Sequence, residues 1–135
     1  MKIINLISGP RNLSTALMYS FSQRPDTVVI DEPFYAHYLV TTGIDHPSRE
    51  ETINSMSSNI NEILDSIFSK KNVKILFLKN MAHHHNNMDL FFLKKMTNLF
   101  LIRNPKLFLI NNLLSIGGYF INISLIFNPK LMFLI

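Results

Sequence analysis

The first 21 residues constrain the fold of this chain more than any other stretch. An apolar run, residues 3–7, leads through a short polar loop, residues 8–15, into a helical pattern that begins at Ala16. A buried strand that runs through glycine, proline, a cation and paired hydroxyls into a helix N-terminus is typical of phosphate-binding sites. Helix N–H groups and the positive end of the helix dipole meet there. The stretch therefore predicts an anion-binding loop at the end of a strand.

Composition indicates one packed domain. The chain has 135 residues, of which 47% are hydrophobic and 16% charged, and it contains no cysteine. Disulfides, zinc–thiolate sites and thiol nucleophiles are therefore excluded, which suits a reducing cytoplasm. The apolar run at residues 3–7 is too short for the core of a signal peptide. We expect a cytoplasmic protein.

The net charge of +4 is unevenly distributed. Residues 1–89 carry eight basic and nine acidic side chains, whereas residues 90–135 carry five basic side chains and no acidic ones. This basic bias suits an anionic ligand. It lacks the clustered arginines and interleaved aromatic residues of a nucleic-acid surface, so we expect no nucleic-acid partner.

Three further apolar runs predict the other strands of a sheet. They are residues 27–30, 73–78 and 98–102, and the run at 73–78 is nearly continuous, as in a parallel strand buried on both faces. Between the second and third strands, Ser48-Arg49-Glu50-Glu51 has the pattern of a capping box. Apolar residues then recur at helical spacing up to Phe68, which predicts one long helix over a sheet face. Residues 89–96 predict a short helix.

Polar side chains follow the predicted strands at what would be one edge of the sheet, where open α/β sheets bind ligands. Asp31 and Glu32 follow the second strand, and Lys79 follows the third. Either carboxylate could orient a substrate or the loop arginine, or both could form an acidic turn before a proline. The aromatic run at residues 34–39 could line a pocket or simply pack.

Three adjacent histidines, residues 83–85, follow Lys79. Consecutive side chains do not point to one place, whereas histidines four apart on a helix do. The sequence therefore predicts no metal site here, and leaves a catalytic histidine and a solvated histidine-rich loop as alternatives.

The loop also resembles that of a known enzyme class. It lacks the Gly-Lys-Ser/Thr ending of a nucleotide-triphosphatase P-loop, so Arg11 would supply the cation. It is similar to the 5′-phosphosulfate loop of PAPS-dependent sulfotransferases, Pro-Lys-Ser-Gly-Thr-Thr, with Arg11 for lysine and Leu13 for glycine. More widely, the chain resembles the bacterial sulfotransferase-like P-loop family, a domain that some eukaryotes fuse to an aminotransferase-like domain. The stretches that carry this resemblance are residues 8–21, Asp31-Glu32-Pro33-Phe34-Tyr35-Ala36-His37-Tyr38, Lys79-Asn80-Met81-Ala82-His83-His84 and Leu101-Ile102-Arg103-Asn104-Pro105.

The resemblance implies an α/β fold with a P-loop-type parallel sheet of about four strands in the order 2-3-1-4. It implies sulfuryl transfer from PAPS to a hydroxyl or amine of a small metabolite, with no metal. The catalytic residues implied are Arg11, Lys79 as charge stabiliser and His83, preferred to His84, as general base. Those implied to bind PAPS are Gly9, Pro10, Arg11, Asn12, Leu13, Ser14, Thr15, Arg103 and Asn111, the last in place of a serine. Glu32, Tyr35 and His37 are the candidate substrate contacts.

The C-terminal part departs from that family, whose members continue with polar helices and another cofactor-binding segment. Residues 107–129 carry no charge, but asparagines, serines and a Gly-Gly pair make them a poor membrane span. We expect a sulfotransferase-like domain over residues 1–111 and an atypical apolar tail over 112–135, so that part of the fold is missing or aberrant. Activity would then be impaired. The alternative function is a non-catalytic phosphate- or nucleotide-binding module, or a decayed fragment.

Overall fold

The computed structural model describes residues 1–102 and the backbone of residues 132–134. Arg103, Asn111 and the predicted boundary at residue 111 lie outside the described residues. The strands are β1 (Lys2–Ser8), β2 (Thr27–Asp31), β3 (Ile75–Met81), β4 (Thr97–Ile102) and β5 (Met132–Leu134). The helices are α1 (Ser14–Ser22), α2 (Tyr35–Thr42), α3 (Arg49–Ser55) and α4 (Ile60–Phe68), with short 3₁₀ helices at Ala82–His85 and Phe91–Lys95.

The strands form one parallel sheet in the order β2-β3-β1-β4-β5. The predicted order of the first four strands, 2-3-1-4, is confirmed, and β5 adds a fifth strand outside β4. Each predicted strand begins or ends within a few residues of the observed one. The largest difference is β3, which continues through Lys79 to Met81. Within the described residues, no helix is both long and apolar enough to cross a membrane.

Both faces of the sheet are covered, which explains the continuous apolar runs of its central strands. On one face Ile3, Leu76 and Leu78 pack against α4 and the second 3₁₀ helix. On the other face Leu6 and Phe77 pack against α1. Alternate residues of one strand therefore belong to opposite layers of the core.

The long helix predicted from residue 48 is wrong, because the structure has two helices there. Ser48 has a left-handed backbone (φ 61°) and makes no side-chain cap, so the capping box does not form. Met56 is extended, and α4 begins after Asn59, whose side chain accepts a 2.9 Å hydrogen bond from the Asn61 N–H. Serine and asparagine at positions 57–59 favour such caps and turns over helix interiors. Of these two helices, α4 contributes buried residues to the core and α3 does not.

The short helix predicted over residues 89–96 is a 3₁₀ helix, Phe91–Lys95. Asp89 accepts a 2.9 Å hydrogen bond from the Phe91 N–H, which starts the turn, and β4 begins at Thr97. The segment between Asp89 and Thr97 has too few residues for a regular α-helix of several turns.

Three asparagine side chains cross the sheet within the layer that α4 covers. Asn80 Nδ2 donates to Asn5 Oδ1 (2.8 Å), and Asn5 Nδ2 donates to Asn98 Oδ1 (3.1 Å). Asn98 Nδ2 then donates to the Leu93 carbonyl (2.8 Å). This asparagine ladder links β3, β1 and β4 to the second 3₁₀ helix. It gives hydrogen-bond partners to both polar atoms of the Asn5 side chain and to Asn80 Nδ2, which would be costly to bury alone.

Candidate active site

The polar segments identified in the sequence meet at the carboxyl edge of the sheet. Ser8, the last residue of β1, pairs in register with Met81, and Asp31, the last residue of β2, pairs with Lys79. The loop at residues 9–13, the Asp31-Glu32 pair and the histidine segment therefore all begin at this edge. Parallel strands produce this arrangement, because their carboxyl ends point the same way.

The loop after β1 has an unusual backbone. Arg11 and Leu13 both have left-handed φ angles, 58° and 59°. Leu13 is the N-cap of α1 and its carbonyl accepts from the Leu17 N–H (3.1 Å), while its side chain is 66% exposed. Leucine is strained in this conformation and glycine is not. Leu13 stands where the sulfotransferase loop that this segment resembles has glycine, a residue that adopts this conformation without strain.

One side chain of this loop is bonded to the sheet, and others are exposed. Asn12 Nδ2 donates to the Leu101 carbonyl of β4 (3.1 Å), and Ser14 is buried at the start of α1. Arg11 and Thr15 are exposed. The Ser8 hydroxyl is buried and has no hydrogen-bond partner among the described residues. Arg11 thus precedes the start of α1, and Ser14 and Thr15 are its first two residues. These residue types at a helix N-terminus are suited to binding phosphate.

Lys79 is the centre of the charged part of the site. Its side chain is 6% exposed, and its Nζ lies 3.1 Å from Asp31 Oδ1 and also contacts Glu32 Oε1. Burial by itself lowers the pKa of Lys79, but the hydrogen bonds of Glu32 and Asp31 outweigh it and raise the pKa above the ordinary value. Lys79 is therefore a charged, buried ammonium at the carboxyl edge.

The backbone holds Glu32 in place beside Lys79. The Glu32 N–H donates to the Lys79 carbonyl (2.7 Å), and the Glu32 carbonyl accepts from the Tyr35 N–H (3.0 Å). Glu32 also has a left-handed φ of 46°, which is uncommon outside glycine, asparagine and aspartate. The acidic pair thus contacts the lysine, and the strained turn aims the Glu32 side chain at it.

His84 extends the cluster to a second oxygen of Glu32. Its Nε2 lies 4.0 Å from Glu32 Oε2, and its ring stacks on Tyr35 with centroids 4.8 Å apart. The side chain is 1% exposed. Burial, followed by repulsion from His83, His85 and Lys79, lowers the pKa of His84 to about 2. His84 is therefore a neutral imidazole at physiological pH.

His83, the predicted base, lies one ring further from the lysine cluster. It makes edge contacts with Tyr38 (5.0 Å between centroids) and His84 (4.6 Å). Burial, followed by repulsion from His46, lowers its pKa. His83 is thus a neutral histidine near the site, and its role as base stays a prediction.

The histidine segment is a 3₁₀ helix rather than a solvated loop. His85 is buried against Phe34 and Phe92, and burial lowers its pKa to about 4 although hydrogen bonds with the backbone of Met81 and Ala82 oppose the shift. Across the described part of the chain, no three histidine, aspartate or glutamate side chains are grouped so that they could hold a metal ion.

Of the candidate substrate contacts, the structure brings Glu32 and Tyr35 together with Lys79 and His84. Tyr35 also hydrogen-bonds His46 Nδ1 through its hydroxyl (2.8 Å). His37 has a different contact, because its Nδ1 lies 2.9 Å from the Ser58 carbonyl in the segment between α3 and α4. No sequence pattern indicated His46 or the ring contacts of Tyr38.

The aromatic run at residues 34–39 mainly packs. Phe34 and Leu39 are fully buried and Tyr38 nearly so. Tyr35 and Tyr38 contact the histidines of the polar cluster. Packing is therefore the alternative that the structure shows, and a pocket lined by this run stays a prediction.

A parallel sheet whose first four strands have the order 2-3-1-4, with helices on both faces, is consistent with a P-loop-like sulfotransferase fold. The sequence model of the sulfotransferase domain family matches residues 1–114. The chain belongs to this family.

Two curated relatives come from Arabidopsis thaliana. Branched-chain-amino-acid aminotransferase-like protein 1 is 39% identical over 106 residues, and branched-chain-amino-acid aminotransferase-like protein 2 is 36% identical over 107 residues. These matches cover 77% and 78% of this chain and 19% of each relative. The chain therefore spans about a fifth of the length of these relatives. No solved structure matches the chain significantly.

Proposed function

We propose that this chain is a sulfotransferase domain that binds PAPS and transfers its sulfuryl group to a hydroxyl or amine of a small metabolite in the cytoplasm. The observation that carries the proposal is the position of Lys79. It places a buried, charged ammonium on the α1 face of the sheet, beside Leu6 of β1 and therefore close to the start of the phosphate-type loop. Membership of the sulfotransferase domain family supports the same activity.

The residues of the loop fit the 5′-phosphosulfate of this cofactor. N–H groups at the start of α1, the Ser14 and Thr15 hydroxyls and the Arg11 guanidinium are all hydrogen-bond donors. Together they complement a dense negative charge. Arg103 and Asn111 are proposed to bind the 3′-phosphate on the strength of the family resemblance alone. PAPS, when bound, supplies the sulfuryl group and a good leaving group.

The transfer itself requires charge stabilisation and a proton acceptor. Lys79 would stabilise the negative charge that develops on the transferring group, in a site where burial strengthens the interaction. The proton of the acceptor would pass to a base, for which His83 is the residue proposed from the family resemblance. His84 is the histidine nearer to Lys79, so single alanine substitutions at the two positions separate them. Loss of turnover confined to His84→Ala would reject His83.

The experiment that tests the function is titration of the purified chain with adenosine 3′,5′-bisphosphate (PAP), the product nucleotide. We expect the wild type to bind PAP and Arg11→Ala to lose at least tenfold in affinity, because a charge-assisted contact is removed. Lys2→Ala, at the opposite edge of the sheet, is the matched control and should bind like the wild type. Unchanged affinity in Arg11→Ala would remove the basis of the proposal.

A second candidate is a phosphate- or nucleotide-binding module without turnover. The observation that favours it is Leu13, whose side chain stands where the resembled loop has glycine and whose backbone is strained. Thermal shifts with PAP, ATP, GTP and phosphate discriminate the two, since a ligand at 100 times its Kd stabilises a fold by about 2.7 kcal/mol. A response selective for PAP supports the sulfotransferase, whereas equal responses to every anion support the module.

A further inference from the structure

The lysine proposed to face the sulfuryl group already has anionic partners within the chain. Lys79 Nζ contacts one oxygen of Glu32 and lies 3.1 Å from Asp31 Oδ1. An incoming anion that needs this ammonium must share it with these carboxylates or displace one of them. The question is which of the two carboxylates, Asp31 or Glu32, gives way to an anion, because that residue then affects which anions bind.

We propose that Glu32 is a specificity-determining residue of the transfer site: its carboxylate holds the place on Lys79 that a sulfuryl group would take, and only an anion tethered to a bound nucleotide displaces it. This inference rests on the proposed function and assigns to Glu32 a role beyond general substrate contact. Asp31 has the other role, because it remains beside Lys79 and keeps the ammonium charged.

The geometry distinguishes the two carboxylates. Asp31 is the register neighbour of Lys79 on β2, so its position is fixed by the sheet itself. Glu32 comes after the strand, and its left-handed backbone and its bonds to the Lys79 carbonyl and the Tyr35 N–H aim its side chain back at the lysine. The Glu32 side chain has one more rotatable bond than that of Asp31 and can turn away from the lysine while its own backbone stays in place. Glu32 is therefore the partner that an anion can replace.

Exposure shows how an anion reaches the lysine. The Asp31 side chain is 50% exposed, the Glu32 side chain 25% and the Lys79 side chain 6%, so solvent reaches the ammonium mainly from the side of the two carboxylates. A free anion that approaches Lys79 is repelled by these carboxylates before it gains the ammonium. A sulfuryl group on a nucleotide held by the loop arrives at high effective concentration, which offsets the repulsion. Free sulfate lacks this advantage.

The experiment compares inorganic sulfate with PAP as probes, by isothermal titration calorimetry of the full chain. In Glu32→Gln we expect sulfate to bind at least tenfold more tightly than in the wild type, and PAP affinity to change by less than threefold. Glu51→Gln, an exposed residue of α3, makes the same change of net charge away from the site. It should bind sulfate within twofold of the wild type. Equal sulfate affinity in Glu32→Gln and wild type would overturn the inference.

A second variant keeps the proposal testable if Glu32→Gln does not fold. Glu32→Asp retains the charge but withdraws it by one methylene, so its sulfate affinity should lie between those of wild type and the glutamine variant; an affinity no higher than that of the wild type would count against the inference. The two proposals fail separately. Loss of PAP binding in the wild type rejects the nucleotide function, whereas sulfate affinities that do not depend on residue 32 reject the role of Glu32.

Discussion

The body of the sheet and its carboxyl edge follow different rules. In the body, central side chains such as Phe77 and Leu78 are fully buried, apolar and in contact with helices on one face or the other. At the edge, Lys79 and His84 are also buried, but they are polar and crowded beside carboxylates. The side chains are similarly buried in the two regions, but they are apolar in the body and polar or charged at the edge.

Backbone strain follows the same division. Arg11, Leu13 and Glu32 have left-handed φ angles, and all three stand at the carboxyl edge. At the opposite end of the sheet the left-handed residue before β3 is Asn72, a type that tolerates this conformation. Strained backbone and buried charge at one place are expected where structure serves a site rather than stability. The body stabilises the fold, and the edge uses part of that stability.

The largest effect should come from the body. Phe77→Ala removes a fully buried ring that stacks on Phe21 at 4.3 Å, and we expect it to lower the free energy of unfolding by about 3–5 kcal/mol. Thr15→Ala at the edge is the control and should change it by less than about 0.5 kcal/mol. Urea denaturation measures both. Equal losses in the two variants would remove the distinction between the regions.

The next effect concerns pH and lies at the edge. Because burial lowers the pKa of His84 from 6.5 to about 2, the fold excludes a proton that the unfolded chain binds. The resulting stability is present above pH 6.5 and is lost as pH falls from 6.5 towards 2. From pH 6.5 to pH 5 this loss amounts to about 2 kcal/mol.

The variant His84→Gln tests this linkage. The decline in its free energy of unfolding between pH 6.5 and pH 5 should be smaller than in wild type by that amount, measured by denaturation at each pH. His37→Gln, which replaces a histidine that contacts the Ser58 carbonyl rather than the His84 cluster, should decline like the wild type. A His84→Gln profile parallel to that of wild type would show that His84 takes up its proton without unfolding.

The smallest effect should be a gain. Leu13→Gly relieves a left-handed leucine whose side chain is mostly exposed, and we expect a stabilisation of about 0.5–1 kcal/mol after the greater flexibility of glycine in the unfolded chain is counted. The same type of change at Ala16, within α1, should instead cost up to about 1 kcal/mol. Thermal unfolding of the two variants in opposite directions is the expected result. Destabilisation by Leu13→Gly would mean that the leucine side chain contributes packing that outweighs its strain.

The sequence predicted the sheet well because its signals are local. Each strand is a short apolar run, and each is followed by polar residues that mark its end. The strand order came from the family resemblance. The division of residues 48–68 into two helices was missed, since the apolar spacing of Ile53 and Met56 continues that of α4, while the break depends on the cap formed by Asn59.

The meeting of the polar residues at one edge of the sheet was predicted for a similar reason. Residues that end parallel strands must meet at one edge, so Lys79 and the Asp31-Glu32 pair could be placed there from spacing alone. Their mutual contact could not, because it depends on the left-handed turn at Glu32. The order of the histidines relative to Lys79 also depends on the 3₁₀ turn at Ala82–His85. Local backbone turns such as these leave no periodic pattern in a sequence.

The asparagine ladder has a consequence for the alignment of the strands. Apolar side chains alone tolerate sliding by two residues, since such a slip returns the same face to the same layer. For β1 it would remove Asn5 from Asn80 and Asn98 and leave buried amides without partners. It would also carry the loop after Ser8 about 7 Å away from Lys79. Three buried asparagine side chains thereby set the separation between the loop after β1 and Lys79.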